Sequence, residues 1–198
     1  MTLYELTKAV LRVVTRPAFA VTVEGEANVP SSGGLVVAAN HRSYLDPPLL
    51  GTWFPRTIHY MAKRELFAIP VLGPLIAAVH AFPVEREKSD LGSVRRALRV
   101  IKEGGAVGIF PEGTRNIAGD AKAKGGAVLL AALARCPLVP VALVGTQHAI
   151  RRLRGSRVRV IIGEPIVFQG SENKPTKAEL AQWTERVSKT IADLAKGP

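Results

Sequence analysis

Leu35-Val36-Val37-Ala38-Ala39 runs without a break into Asn40-His41-Arg42-Ser43-Tyr44-Leu45-Asp46. The apolar half shows no polar alternation, so it suits a strand covered on both faces, as in a parallel sheet with helices above and below. The polar half follows at once, at what is then the carboxyl end of that strand. Open α/β sheets bind their ligands in crevices at such ends. Pro47-Pro48 fit the first turn of a following helix, where a missing N–H costs nothing. Strand, polar turn and helix start in one stretch predict an α/β fold with functional groups at the turn.

The pattern repeats outward. Before the stretch, residues 19–23 alternate like a short strand ending at Gly25, and residues 31–34 make a turn. After it, a helix over 45–54 and a strand over 57–61 are predicted. Ser89 can cap a helix running to Glu103, with Gly104 past its end. Residues 106–110 read as another buried strand, 126–135 as an Ala/Leu-rich helix, and 138–144 and 158–162 as strands. Thr176 and Glu179 form a capping box for a C-terminal helix that ends at Gly197-Pro198. Alternation of this kind implies a mostly parallel sheet flanked by helices.

The chain of 198 residues suits one domain with an appended helix, divided as residues 1–16 and 17–198. In the first part Leu3, Leu6, Val10, Val13 and Val14 share one helical face, and Glu5, Lys8, Arg12 and Arg16 share the other, with Pro17 as the stop. The charges interrupt any signal-peptide core. Two readings stand: a surface helix packed on the domain, or an interfacial helix whose basic side chains face anionic lipid. Residues 67–84 carry no Lys, Arg, Asp or Glu, yet Pro70, Gly73, Pro74 and Pro83 break them. A buried or membrane-dipping helical segment over 71–79, followed by a strand, fits better than a continuous span.

With 27 Lys and Arg against 16 Asp and Glu, the formal charge is +11, which asks for an anionic partner. Only 6% of residues are aromatic against 47% hydrophobic. That balance favours a membrane surface over a specific nucleic acid, and no RNA- or DNA-binding motif interleaves the basic residues. A lone Cys136 excludes an internal disulfide and a cysteine-cluster zinc site. Phosphate-loop, dinucleotide-binding, nucleophile-elbow and zincin motifs are all absent, and no metal site is predicted.

Two clusters carry chemistry. On an ideal helix, His41 and Asp46 would stand about 140° apart, so a hydrogen bond between them needs a turn before the helix starts. A His held by a carboxylate is a general base, the carboxylate fixing tautomer and orientation; as a bare pair, the same residues also read as a helix cap and a surface turn. The second cluster, Phe110-Pro111-Glu112-Gly113-Thr114-Arg115, follows the strand over 106–110. There Gly admits close backbone approach and Arg offers a planar fork for phosphate.

His41-x-x-x-x-Asp46 followed by Phe-Pro-Glu-Gly-Thr-Arg resembles the glycerolipid acyltransferase family. The segments 61–66, 82–86, 139–143 and 162–166 extend the resemblance from about residue 25 to residue 166. The second of these departs from the family pattern, reading Ala81-Phe82-Pro83-Val84 before its charged end. The resemblance implies an acyltransferase domain over 17–198, membrane-associated and working in phospholipid biosynthesis. Its reaction would move a fatty acyl group from acyl-CoA or acyl-acyl carrier protein to the free hydroxyl of 1-acylglycerol 3-phosphate, giving phosphatidic acid. It implies His41 as general base, Asp46 as its orienter, Arg115, Arg86 and Lys63 on the acceptor phosphate, and Glu112, Gly113 and Thr114 in the substrate-binding turn. The thioester is a co-substrate, and no cofactor or metal is implied. Backbone amides around Gly113 are candidate oxyanion donors. The run Arg151, Arg152, Arg154, Arg157 and Arg159 offers charge to anionic headgroups or donor phosphates. The expected location is the cytoplasmic face of a membrane, peripheral or monotopic. Glycerol 3-phosphate or another lysophospholipid is the alternative acceptor. A non-catalytic lipid-binding protein on the membrane surface and a basic RNA-binding module are the readings from other classes.

Overall fold

The computed structural model describes residues 3–70, 72–84, 91–113, 123–149, 157–168 and 175–197. In chain order these form α1 (Leu3–Phe19), β1 (Thr22–Glu24), β2 (Leu35–Ala39), α2 (Asp46–Trp53), β3 (Ile58–Lys63), α3 (Arg64–Phe67), α4 (Leu72–Ala78), β4 (Ala81–Val84), α5 (Leu91–Lys102), β5 (Ala106–Ile109), α6 (Gly126–Ala134), β6 (Leu138–Val144), α7 (Thr146–Ala149), β7 (Arg159–Ile162) and α8 (Lys177–Lys196). A short 3-10 turn, Glu26–Asn28, follows β1.

The strands make one seven-stranded sheet in the order β1-β7-β6-β2-β5-β3-β4. Every pairing is parallel except β6 with β7. All five residues of β2 are fully buried at its centre. Leu35, Val37 and Ala39 face a core with Leu49, Leu50 and Trp53 of α2 and Phe19 of α1. Val36 and Ala38 face the opposite core, with Ala97 of α5, Val128 of α6 and Ile191 of α8. The two-residue period of a strand thus feeds two helical layers, which is why the run lacks polar alternation.

Adjacent strands β2 and β5 send their connections to opposite faces, β2 through α2 and β5 through α6. A crevice opens at the carboxyl ends of two such strands, where neither connecting helix covers the edge.

Two expectations shift in detail. α1 runs past Pro17 to Phe19 and ends where Ala20 turns left-handed at φ 42°. A proline in the last turn loses one intrahelical bond without ending the helix. The first strand therefore starts at Thr22 rather than residue 19. β6 and β7 pair antiparallel, the one such pair among the described strands of this mostly parallel sheet. Ser89, the expected cap of α5, lies outside the described residues. The capping box on α8 is complete, with Thr176 Oγ1 accepting from the Glu179 amide at 3.2 Å and Glu179 Oε2 accepting from the Thr176 amide at 2.7 Å.

α1 packs on α2 through part of its polar side: Lys8 Nζ donates to the Phe54 carbonyl at 2.7 Å, and Arg12 Nε donates to the Thr52 carbonyl at 3.0 Å, while Glu5, Arg12 and Arg16 stay exposed. Those carbonyls belong to the end of α2, where orphan acceptors and the helix dipole attract cations. Trp53 Nε1 donates to Thr15 Oγ1 at 3.1 Å in the same contact. The apolar stripe points outward, with Leu6 45%, Val10 52%, Val13 75% and Val14 56% exposed.

Candidate active site

The polar stretch after β2 folds around one carboxylate. Asp46 opens α2 and is fully buried. Its Oδ2 accepts from the Arg42 and Ser43 amides at 2.6 Å each, and lies 2.9 Å from His41 Nδ1. The five-residue spacing closes because residues 41–45 form a turn that curls over the helix start rather than a helical turn of their own. Two backbone donors hold the carboxylate in place before the imidazole meets it. With Nδ1 protonated toward Asp46, Nε2 carries the free lone pair.

Asn40 sets the register of this turn. Its Nδ2 donates to the Leu143 carbonyl at 2.9 Å, and its Oδ1 accepts from the Leu143 amide at 2.7 Å. The side-chain amide thereby extends the β2–β6 pairing past the strand end. Residue-type reasoning placed Asn40 in the cluster but assigned it no role. An Asn directly after a buried strand is ambiguous until the neighbouring strand is known.

The second cluster meets the first through the parallel β2–β5 pair. Glu112 Oε2 accepts from the His41 amide at 3.2 Å, across 71 residues of sequence. Phe110 stacks on the His41 ring at a centroid distance of 4.4 Å, and Tyr60 of β3 stacks on Phe110 at 6.3 Å. Gly113 donates its amide to the Phe110 carbonyl at 2.9 Å and takes φ 71°, closing a tight turn with Pro111 at its second position. A side chain there would be strained by that backbone and would meet Lys124, whose Nζ lies 3.7 Å from where a Cβ would stand. Lys124, held by its amide to the Pro111 carbonyl at 2.8 Å, is a cation at the site that motif reading passed over.

Among the amides around Gly113, its own is already committed. The Gly113 amide is spent within its turn, the His41 amide goes to Glu112, and those of Arg42 and Ser43 go to Asp46. None of these four is the oxyanion donor in this arrangement. Lys63 ends β3, exposed, at the same carboxyl edge of the sheet. Arg86, Thr114 and Arg115 lie outside the described residues, as do Arg151, Arg152 and Arg154. Arg159 is engaged elsewhere, its Nε and Nη2 donating to Glu24 at 2.9 and 3.2 Å. Among the described residues no group of His, Cys, Asp and Glu is placed to hold a metal ion.

The chain is similar to known proteins over most of its length. A family model described as Acyltransferase matches residues 20–144. The chain is 36% identical over 193 residues to a 1-acyl-sn-glycerol-3-phosphate acyltransferase of Bacillus subtilis, covering 97% of this chain and 96% of that one. A chloroplastic 1-acyl-sn-glycerol-3-phosphate acyltransferase of Arabidopsis thaliana is 32% identical over 76% of this chain, which spans 44% of that longer protein. Among solved structures, the 1-acyl-sn-glycerophosphate (LPA) acyltransferase PlsC from Thermotoga maritima superposes with a TM-score of 0.75 at 29% identity. The match covers 98% of this chain and 79% of that chain.

Proposed function

The chain belongs to the acyltransferase family, and from that premise we propose that it moves a fatty acyl group from an acyl thioester to the free hydroxyl of a 1-acylglycerol 3-phosphate, forming phosphatidic acid. The observation that carries the reading is the His41–Asp46 pair at 2.9 Å, set at the carboxyl edge of the parallel strands and tied to the Glu112 turn.

His41 Nε2 takes the hydroxyl proton as the acceptor oxygen attacks the thioester carbonyl. Asp46 holds the tautomer and stabilises the imidazolium, much as the carboxylate of a hydrolase triad does. Collapse of the tetrahedral adduct breaks the C–S bond, and the leaving thiolate takes the proton back from His41. Atoms balance as ester plus free thiol, with no other reactant. The stack of His41 on Phe110 keeps the ring from swinging off this line. Lys63, Lys124, Arg86 and Arg115 are the proposed cations for the acceptor phosphate, and Thr114 is a further proposed substrate-binding residue. Glu112 acts as a positioning residue through the His41 amide.

No helix among the described residues is long and apolar enough to cross a membrane. The outward stripe on α1 supports docking onto one leaflet, which we assign to the cytoplasmic face.

The test is thiol release from palmitoyl- and oleoyl-CoA, and from the matching acyl carrier protein thioesters, with 1-acylglycerol 3-phosphate, glycerol 3-phosphate and another lysophospholipid as acceptors. The expected result is turnover with the first acceptor, abolished in a folded His41→Ala protein. Thiol release at wild-type rate in that variant would sink the mechanism. No release with any acceptor would leave a lipid-binding protein.

A further inference from the structure

At the amino ends of β3 and β4, opposite the catalytic pair, a cleft of about 610 Å³ opens against α5. Its charged and titratable lining is His59, His80, Arg95, Arg96, Arg99 and Glu103. Among the described residues, three guanidinium groups thus share the cleft lining with one carboxylate. Arg95 and Arg99 stand one helical turn apart and are both exposed. The Arg96 guanidinium rests over the Phe82 ring at 5.2 Å, which fixes one fork at the cleft. The His59 and His80 rings lie 4.9 Å apart. His80 sits at φ 63° in the turn before β4, a conformation uncommon for side chains other than Asn, Asp and His. Burial first, then the positive charges of His80 and Arg96, hold the His59 imidazolium below its usual range, with Glu103 opposing them.

Like charges gathered around a cleft are relieved by an anion, and planar forks favour an oxyanion with several acceptor atoms. We propose that this cleft binds a phosphate group, held by Arg95, Arg96 and Arg99 beside the His59–His80 pair. The site stands apart from acyl transfer, because its residues lie at the opposite end of β3 from Lys63. Its phosphate comes either from a soluble molecule or from the headgroup of the lipid on which α1 rests. Tyr4 of α1 packs against His80 at 5.0 Å, so the cleft adjoins the helix that carries the outward apolar stripe.

The experiment follows histidine ring resonances of the full-length protein while inorganic phosphate is added. In parallel, flotation is measured with phosphatidylcholine vesicles that contain or lack phosphatidic acid. Phosphate is expected to shift His59 and His80 saturably and to raise the pKa of His59, and His41 reports the acceptor site separately. The R95Q/R99Q double variant, altered only at exposed positions, is expected to weaken that response about tenfold or more. A headgroup source predicts that the same variant loses affinity for phosphatidic acid vesicles but not for phosphatidylcholine. A soluble source predicts unchanged flotation on both vesicles with the phosphate response lost. Unmoved His59 and His80 resonances in the wild type, or an equal response in R95Q/R99Q, would overturn the proposal. Turnover is measured independently, so neither result depends on His41 being the base.

Discussion

Asp46 divides its work between its two oxygens. Oδ2 takes the His41 ring and two amides, while Oδ1 is buried without a hydrogen-bond partner. Asp46→Asn keeps an acceptor for the amides but no longer stabilises an imidazolium. Turnover is expected to fall on the order of 10³–10⁴-fold, while urea unfolding shows a loss of only about 1–3 kcal/mol. Wild-type turnover in that variant would remove Asp46 from the mechanism. Asn40→Ala separates positioning from chemistry. It strands the Leu143 amide and carbonyl, so stability should drop by about 1–3 kcal/mol and kcat should fall with little change in KM. A stability loss with kcat intact would leave Asn40 purely structural. Arg115 follows Gly113 by two positions, and Arg115→Ala is expected to lower kcat/KM about 10- to 100-fold. The loss should be greater for 1-acylglycerol 3-phosphate than for the same monoacylglycerol without phosphate. Equal losses would reassign Arg115 to the loop or the donor. The residue types at this site were legible from their order along the chain. The commitment of the Gly113 amide and the approach of Lys124 were not, because both depend on how a turn closes in space.

α1 shows how an element's amphipathicity can be legible in the sequence while its orientation is not. The two faces are those that the helical period predicts. Which face meets the protein depends on the carbonyl end of α2, which supplies acceptors for Lys8 and Arg12. Vesicle binding through this helix should therefore be mainly hydrophobic. Val10→Asp with Val13→Asp is expected to reduce partition onto neutral phosphatidylcholine vesicles about tenfold or more, given about 1.5–3 kcal/mol for each apolar side chain buried. Raising the salt concentration should change that partition little. Strong salt dependence together with unchanged partition in the double variant would show that another surface makes the contact.

Across the whole molecule, the half-buried Lys8 and the buried Cys136 give stability a signed dependence on pH. Burial, aided by Arg12, pulls the Lys8 ammonium from 10.5 down to about 8. Between those values the folded chain sheds a proton that the unfolded chain keeps, so stability rises as pH climbs above 8. Burial pushes the Cys136 thiol from 9.0 up to about 11. There the unfolded chain loses its proton first, so stability falls as pH passes 9. The rise should be clearest between the lower two values, about pH 8 and 9. Urea midpoints against pH are the measurement. Lys8→Met is expected to flatten the rise and Cys136→Ala to lessen the later fall. An unchanged profile in Lys8→Met would show that its ammonium is not held in a disfavoured setting.

By itself the sequence determined the layer architecture, the buried central strand and the two polar clusters at the strand ends. Those features rest on local composition: an unbroken apolar run, proline at a helix start, a capping box and the order of a few polar residues. Tertiary structure alone decided that His41 and Glu112 meet, because strand order placed β2 beside β5 and sent their helices to opposite faces. It also decided that α1 presents its apolar side outward and that the cleft between α5 and the sheet edge gathers three arginines. A chain's periodicity specifies what each face is made of. Only the packing of elements distant in sequence settles what each face meets.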